Sequence, residues 1–188
     1  MKNRIIKILD GRYLIQKENL FYPHIYVADL SNITKNQQGI NIFDTQPFEV
    51  EALHIENPNL DISATFFLPQ CFLDENGKEI ESCEGVFYLT DSTDKTWVLF
   101  IELKDCKVKN ISRHSQKAIE QIKSTVQFFR DKKIIRKNKI VYANIAFPRR
   151  KSDYYSQVIK QPKAYVDEFK IILKGTNYLK IKNSRTII

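Results

Sequence analysis

The chain has 188 residues, of which 43% are hydrophobic and 28% are charged. This composition supports one compact domain with its own core, and it excludes disordered, fibrous and low-complexity proteins. The net charge of +8 is uneven: residues 1–102 carry 8 Lys and Arg against 16 Asp and Glu, and residues 103–188 carry 22 against 6. The basic half favours a polyanionic partner, with a lysine-rich surface typical of an AT-rich genome as the alternative.

The cysteine content indicates a reducing compartment. Cys71, Cys83 and Cys106 are odd in number, and none has zinc-ligand spacing to another Cys or to a His. The first residues contain no sustained apolar stretch of the kind found in a signal peptide, and no segment is long enough to span a membrane. We therefore expect a cytoplasmic protein without membrane contact.

Residues 1–61 are predicted to be an N-terminal extension that includes a candidate first helix of the core. Short apolar groups at 13–15 and 24–27 fit strands or helix segments. Asp44 followed by Pro47 is typical of a helix start, which predicts a helix from Pro47 to Glu56. The alternation of apolar and acidic residues over 48–52 fits a strand equally well, so both structures stay open.

Residues 62–148 have the pattern of an α/β core. Strands are predicted at 63–68, 85–90 and 96–104, and a turn at 91–95 joins the last two into a hairpin. Residues 112–131 show helical periodicity, with Ile119, Ile122, Val126 and Phe129 on one face. A buried strand at 140–147 follows. This order predicts an α/β fold with helices flanking a mixed central β-sheet.

Residues 149–188 are predicted to be a basic segment of the same domain. It begins with Arg149, Arg150 and Lys151 immediately after the buried strand. A helix is expected over 163–173, with Gly175 as its C-terminal stop, followed by a short strand at 178–182.

Charged residues at the ends of the hairpin are the candidate site. Glu102 and Lys104 close the most apolar strand and point to the same side of the sheet. If the turn is centred on Thr93 or Asp94, Glu84 lies opposite Glu102 or Lys104; an even-numbered loop would place it on the other face. Charges at the rim of a core need partners.

This pattern resembles the PD-(D/E)xK nuclease superfamily. Glu84-Gly85 corresponds to the acid that opens one hairpin strand, although the family more often has Asp there and a proline before it. Glu102-Leu103-Lys104 corresponds to the (D/E)-x-K that closes the next strand, and Gln121 to a glutamine on the following helix. The resemblance spans about residues 62–148 and implies a restriction endonuclease-like core.

The resemblance implies metal-dependent hydrolysis of phosphodiester bonds, with DNA favoured as the substrate. It implies that Glu84, Glu102, Lys104 and Gln121 are catalytic. Mg²⁺ or Mn²⁺ would be held by Glu84, Glu102, the Leu103 carbonyl and an acid on an earlier helix, for which Glu51, Glu49 and Asp61 are candidates. The residues expected to bind nucleic-acid phosphates are Arg113, Lys117, Lys123, Arg149, Arg150 and Lys151.

A role in prokaryotic defence or in a mobile element is expected from the same resemblance. A protein partner that supplies target choice, or a homo-oligomer, is compatible with the lack of a sequence-reading module. The alternative function is a catalytically inactive nuclease-like protein that binds nucleic acid or acts as a scaffold.

Overall fold

The structure is a computed structural model that describes residues 1–30, 39–48, 50–104, 110–150 and 162–188, with the main chain only at 162–165. Its helices are α1 (Lys2–Ile8), α2 (Ile111–Asp131) and α3 (Pro162–Phe169), with a short 3₁₀ turn at Gly11–Tyr13. Its strands are β1 (Leu14–Leu20), β2 (His24–Asp29), β3 (Ile40–Phe43), β4 (Leu53–Glu56), β5 (Ile62–Phe67), β6 (Gly85–Leu89), β7 (Val98–Leu103), β8 (Val141–Ala146), β9 (Ile171–Lys174), β10 (Tyr178–Asn183) and β11 (Thr186–Ile187). Glu49, Cys106 and Lys151 lie outside the described residues.

The strands form two mixed sheets. The larger has six strands in the order β1-β5-β6-β7-β8-β9, and the smaller has five in the order β11-β10-β4-β2-β3. Strands β5, β6 and β7 form an antiparallel meander, and β8 and β9 continue it in parallel with β7. The predicted α/β class is confirmed, but the expectation of one central sheet with flanking helices was wrong, since a second sheet takes the place of a helical layer.

The N-terminal residues complete both sheets. Strand β1 pairs with β5 at the edge of the larger sheet, and β2, β3 and β4 belong to the smaller one. The helix expected from Pro47 to Glu56 does not form. A strand begins at Leu53 instead. Its residues alternate, because Leu53 and Ile55 face the core while His54 and Glu56 stay partly exposed.

Hydrophobic cores lie on both sides of the larger sheet. On one side, Val98 and Phe100 of β7 pack with the buried face of α2 and with α1. On the other side, Leu99, Ile101 and Leu103 pack against the smaller sheet. Since β7 is buried on both faces, it reads as a continuous apolar run rather than an alternating one.

Helix α2 is the crossover between the parallel strands β7 and β8. Its predicted extent is confirmed, and its apolar face is buried on the larger sheet. The C-terminal helix ends earlier than expected, at Phe169, where Lys170 adopts a φ of 53°. The residues expected to continue it form β9, so Gly175 is not a helix stop. Among the described residues, no helix has the length and apolar character needed to cross a bilayer.

Candidate active site

The hairpin register brings two acids face to face. Gly85 pairs with Ile101 and Tyr88 with Val98, so the turn is centred on Thr93 and Glu84 lies opposite Glu102. Both side chains are on the side of the sheet that carries α2, since Val86 and Phe100 next to them in alternation belong to the core on that side. Of the registers that the sequence left open, the structure has the one centred on Thr93, in which Glu84 faces Glu102.

Each of the two acids holds the main chain of the other strand. The amide of Glu84 donates to Glu102 Oε2 at 2.9 Å, and the amide of Leu103 donates to Glu84 Oε2 at 2.8 Å. Lys104 forms an ion pair with Glu102 Oε1. The carboxylates therefore replace ladder hydrogen bonds at the end of the hairpin, and their positions are determined by the backbone.

The site is short of positive charge. Burial raises the pKa of Glu102 to about 7, although Lys104 beside it acts in the opposite direction. Burial and then the neighbouring Glu102 carboxylate raise the pKa of Glu84 well above its usual value, against the hydrogen bond from Leu103 and the charge of Lys104. When both carboxylates are ionised, Lys104 balances only one of them, and a bound cation would neutralise the other.

A cavity of about 430 Å³ opens beside Glu84, between the start of β6 and helix α2. Gln121 lines it, and its Nε2 donates to the Ser82 carbonyl at 3.0 Å. The Gln121 Oε1 atom is buried and has no hydrogen-bond partner among the described residues. Lys117 also lines the cavity and pairs with Glu81 at 3.1 Å. The structure therefore brings Gln121 and Lys117 to the cavity that Glu84 borders.

Thr125 supports the site, and the sequence interpretation did not include it. Its Oγ1 accepts a hydrogen bond from the Cys83 amide at 2.8 Å and donates one to the Gln121 carbonyl at 2.8 Å. These bonds attach the segment before Glu84 to helix α2. A threonine on the buried face of an amphipathic helix, four residues after Gln121, was the signal for such a contact.

Asp29, at the end of β2, is a second residue near the site that was not predicted from the sequence. Its carboxylate contributes, after burial and Glu102, to the raised pKa of Glu84. It belongs to the smaller sheet, so no local sequence pattern links it to the hairpin. Its effect on Glu84 indicates that the smaller sheet adds negative charge near the site.

Two arginines lie at the same edge of the sheet as the acids. Because β7 and β8 are parallel, with Leu103 beside Ala146, the loop that follows β8 emerges next to Lys104. The side chain of Asn177 holds this loop: it accepts from the Phe147 amide at 2.9 Å and donates to the Phe147 carbonyl at 2.8 Å and the Arg150 carbonyl at 2.7 Å. Arg149 and Arg150 are thereby placed at the same edge of the larger sheet as Lys104.

Other candidates lie elsewhere. Asp61 accepts from the Thr90 hydroxyl at 2.8 Å, at the opposite end of the β5–β6 pair from Glu84. Lys123 pairs with Glu120 at 3.2 Å and lies 4.5 Å from the Phe169 ring centroid. Glu51, before β4, and Arg113, in the first turn of α2, are exposed and do not line the cavity.

The donor atoms suit a hard divalent cation. Mg²⁺ in proteins is commonly held by one or two carboxylates and keeps several water ligands, and Glu84 with Glu102 provides two carboxylates. Within the described ranges, no group of three or more His, Cys, Asp or Glu side chains could hold a metal. The remaining ligands would be the Leu103 carbonyl and water. The chain matches no protein-family model, no curated protein and no solved structure, so a functional assignment depends on this geometry.

Proposed function

We propose that the protein is a divalent-metal-dependent nuclease of the PD-(D/E)xK type that hydrolyses phosphodiester bonds, with DNA as the favoured substrate. The observation that carries the proposal is the pair of facing acids, Glu84 and Glu102, with Lys104 paired to the second. The order of the meander, helix α2 and parallel strand β8 supports a restriction endonuclease-like core. A cytoplasmic role in prokaryotic defence or a mobile element is part of the proposal.

Glu84, Glu102 and the Leu103 carbonyl would hold Mg²⁺ or Mn²⁺. When bound, the cation neutralises charge on the phosphate and lowers the pKa of coordinated water. The Lys104 ammonium, held beside Glu102, donates hydrogen bonds to phosphate oxygens as negative charge develops on them. Gln121 Oε1 accepts a hydrogen bond from the attacking water, since its amide nitrogen is already bonded to Ser82.

Basic residues beside the cavity would hold the substrate. Arg149 and Arg150 at the sheet edge, together with Lys117 at the cavity, would contact backbone phosphates. Such contacts position nucleic acid without reading its sequence. A protein partner would then supply target choice, or a second copy of the chain would extend the basic surface.

A cleavage assay with matched variants tests the proposal. Purified protein with Mg²⁺ or Mn²⁺ is incubated with single-stranded and duplex DNA and RNA, and an EDTA reaction gives the background. Glu102→Gln and Lys104→Met should each reduce cleavage by about a hundredfold or more, whereas Glu75→Gln, at an exposed turn, should leave it unchanged. Absence of cleavage of all four polymers with both cations would contradict the nuclease proposal.

The alternative is a nuclease-like protein that binds nucleic acid without cleaving it. The observation that favours this alternative is that both carboxylates already accept hydrogen bonds from main-chain amides, Glu102 from Glu84 and Glu84 from Leu103. In addition, no third acid side chain completes a metal-binding group among the described residues. Measurement of Mn²⁺ binding by calorimetry separates the two functions. The nuclease requires Mn²⁺ binding that Glu84→Gln abolishes, and the inactive protein shows none.

A further inference from the structure

The outer face of the smaller sheet carries a row of aromatic rings. Residues of β2, β4 and β10 that point inward, such as Ile25, Ile55 and Leu179, are at most 1% exposed and pack against the larger sheet. Their neighbours in sequence therefore face away from the core. Directly paired positions on β3, β2, β4 and β10 place four rings side by side: Phe43, Tyr26, His54 and Tyr178.

Three of the four rings, those of Tyr26, His54 and Tyr178, are held in position by contacts with one another. Tyr26 stacks on His54 with ring centroids 4.5 Å apart and planes 12° apart, and Tyr178 meets His54 edge-on at 5.1 Å. His24 Nδ1 lies 3.0 Å from His54 Nε2. The Tyr178 hydroxyl donates to Glu56, which also pairs with Lys180 at 2.5 Å. Little side-chain freedom would be lost if a ligand bound to these rings.

The row remains accessible in the described part of the chain. Helices α1 and α2 pack on the other side of the larger sheet, and α3 contacts β9. Tyr178 is 46% exposed. Aromatic rings arranged across an exposed sheet are a surface on which nucleobases stack, because every base presents a flat π face.

Positive charge accompanies the rings. Lys180 and Lys182 follow Tyr178 on the same outer face of β10, and Arg185 is exposed in the turn after it. The acid that Tyr178 contacts on this face is Glu56, and its charge is neutralised by the ion pair with Lys180. The rings can stack on bases and the cations can contact phosphates. This combination suits a single strand better than a duplex, because the faces of paired bases are stacked on one another inside the duplex.

We propose that this aromatic row is a stacking platform for the bases of single-stranded nucleic acid, with Lys182, which lies beside the Glu56–Lys180 ion pair, contacting the phosphates. The platform lies on the opposite side of the molecule from Glu84 and Glu102. The strand segment bound at the platform is therefore different from any segment bound at Glu84 and Glu102. Binding at the platform does not require that the protein cleave nucleic acid.

Binding in EDTA tests the platform independently of cleavage. Fluorescence anisotropy is measured with an oligothymidylate of about 20 nucleotides, longer than the site of one single-strand-binding fold. Tyr178→Leu, which keeps apolar area but loses the ring, should weaken binding about tenfold, the effect of one lost stacking contact. Phe48→Leu, a change at a fully exposed ring outside the row, should bind like the parent protein.

A strand of equal length without bases and a duplex of equal length are the ligand controls. Both should bind Tyr178→Leu and the parent protein equally. The stacking proposal is wrong if Tyr178→Leu binds the oligothymidylate as tightly as the parent protein does. It is also wrong if the substitution weakens binding of the strand without bases as much as it weakens binding of the oligothymidylate.

Two further measurements apply if Tyr178→Leu is poorly folded. The His54 ring protons of the unmodified protein should shift upfield in an NMR titration with the oligothymidylate, and unchanged signals would overturn the proposal. Sedimentation of the free protein is the second measurement. A dimer that Lys182→Glu, an exposed change on the same face, dissociates would show that a second copy covers the row, which would also overturn the proposal.

Discussion

The Glu102 carboxylate accepts a hydrogen bond from the main-chain amide of Glu84, 2.9 Å away across the β6–β7 hairpin. The first acid of the site is therefore held in place by the second through its backbone, and a change at one position affects the other. Because Glu102 is 1% exposed, its carboxylate holds this hydrogen bond largely shielded from water.

The acceptor role of Glu102 predicts a difference between two neutral substitutions. Glu102→Gln keeps an oxygen for the Glu84 amide, whereas Glu102→Leu leaves that part-buried amide without its acceptor. We expect Glu102→Leu to be less stable than Glu102→Gln by about 1–3 kcal/mol, the cost of an unsatisfied buried group. Urea denaturation measures the difference, and equal midpoints with equal slopes would show that the hydrogen bond does not hold the hairpin.

Gly85, next to the first acid, is expected to resist substitution. A Cβ at this position would lie 2.5 Å from Phe66 Cδ1 and 3.0 Å from the Thr65 carbonyl oxygen. We expect Gly85→Ala to destabilise the protein by about 1–3 kcal/mol, since the neighbouring strand must shift. Gly11→Ala is the matched control because its Cβ would meet nothing within 4 Å. Equal thermal midpoints for the two variants would contradict the prediction.

Thr125 is expected to stabilise the protein through its hydroxyl. Thr125→Val keeps the shape but leaves the buried Cys83 amide without its acceptor, so a loss of about 1–3 kcal/mol is expected. Thr125→Ser keeps the hydroxyl and should retain that hydrogen bond, losing only the packing of one methyl group. Chemical denaturation compares the two variants. A valine variant more stable than the serine variant would show that packing outweighs the hydrogen bond.

Asn177 is expected to affect both stability and phosphate binding. Asn177→Ala removes the side chain that bonds the Phe147 amide and the Arg150 carbonyl, so we expect a loss of about 1–3 kcal/mol. The loop with Arg149 and Arg150 is then no longer held, and binding of duplex DNA should weaken at low salt. Asn76→Ala, in an exposed turn, should change neither quantity. Unchanged DNA binding by the Asn177 variant would show that this loop does not contribute to binding nucleic acid.

His54 is expected to titrate at lower pH than an ordinary histidine. Burial, and then the neighbouring His24, lower the pKa of His54 from 6.5. Because the folded protein binds this proton less readily than the unfolded chain does, the contribution of His54 to stability is full above pH 6.5 and is lost as the pH falls through the folded pKa. NMR titration of the ring measures the midpoint, which should rise in His24→Gln. A midpoint at or above 6.5 in the parent protein would contradict the prediction.

Local patterns were sufficient for the elements around the hairpin. The apolar run of β7, the turn before it and the 3.6-residue periodicity of α2 are properties of neighbouring residues, so their positions could be predicted from the sequence. The facing of Glu84 and Glu102 depends on the turn register, which the sequence left open and the structure provides. The smaller sheet could not be predicted, because β4 pairs in parallel with β10 from the far end of the chain, and no local pattern encodes that contact.

The α/β class, the three strands of the meander with the helix after them, and the candidate acids with Lys104 could be predicted from the sequence, although the register that brings the acids together could not. The tertiary structure decided what surrounds them. It attached Cys83 to α2 through Thr125, placed the loop after β8 beside Lys104, and aligned the rings of Tyr26, His54 and Tyr178 from three separate strands. The physical reason is that hairpin pairing and helical periodicity act over a few residues, whereas these contacts join segments that only packing of the two sheets brings together.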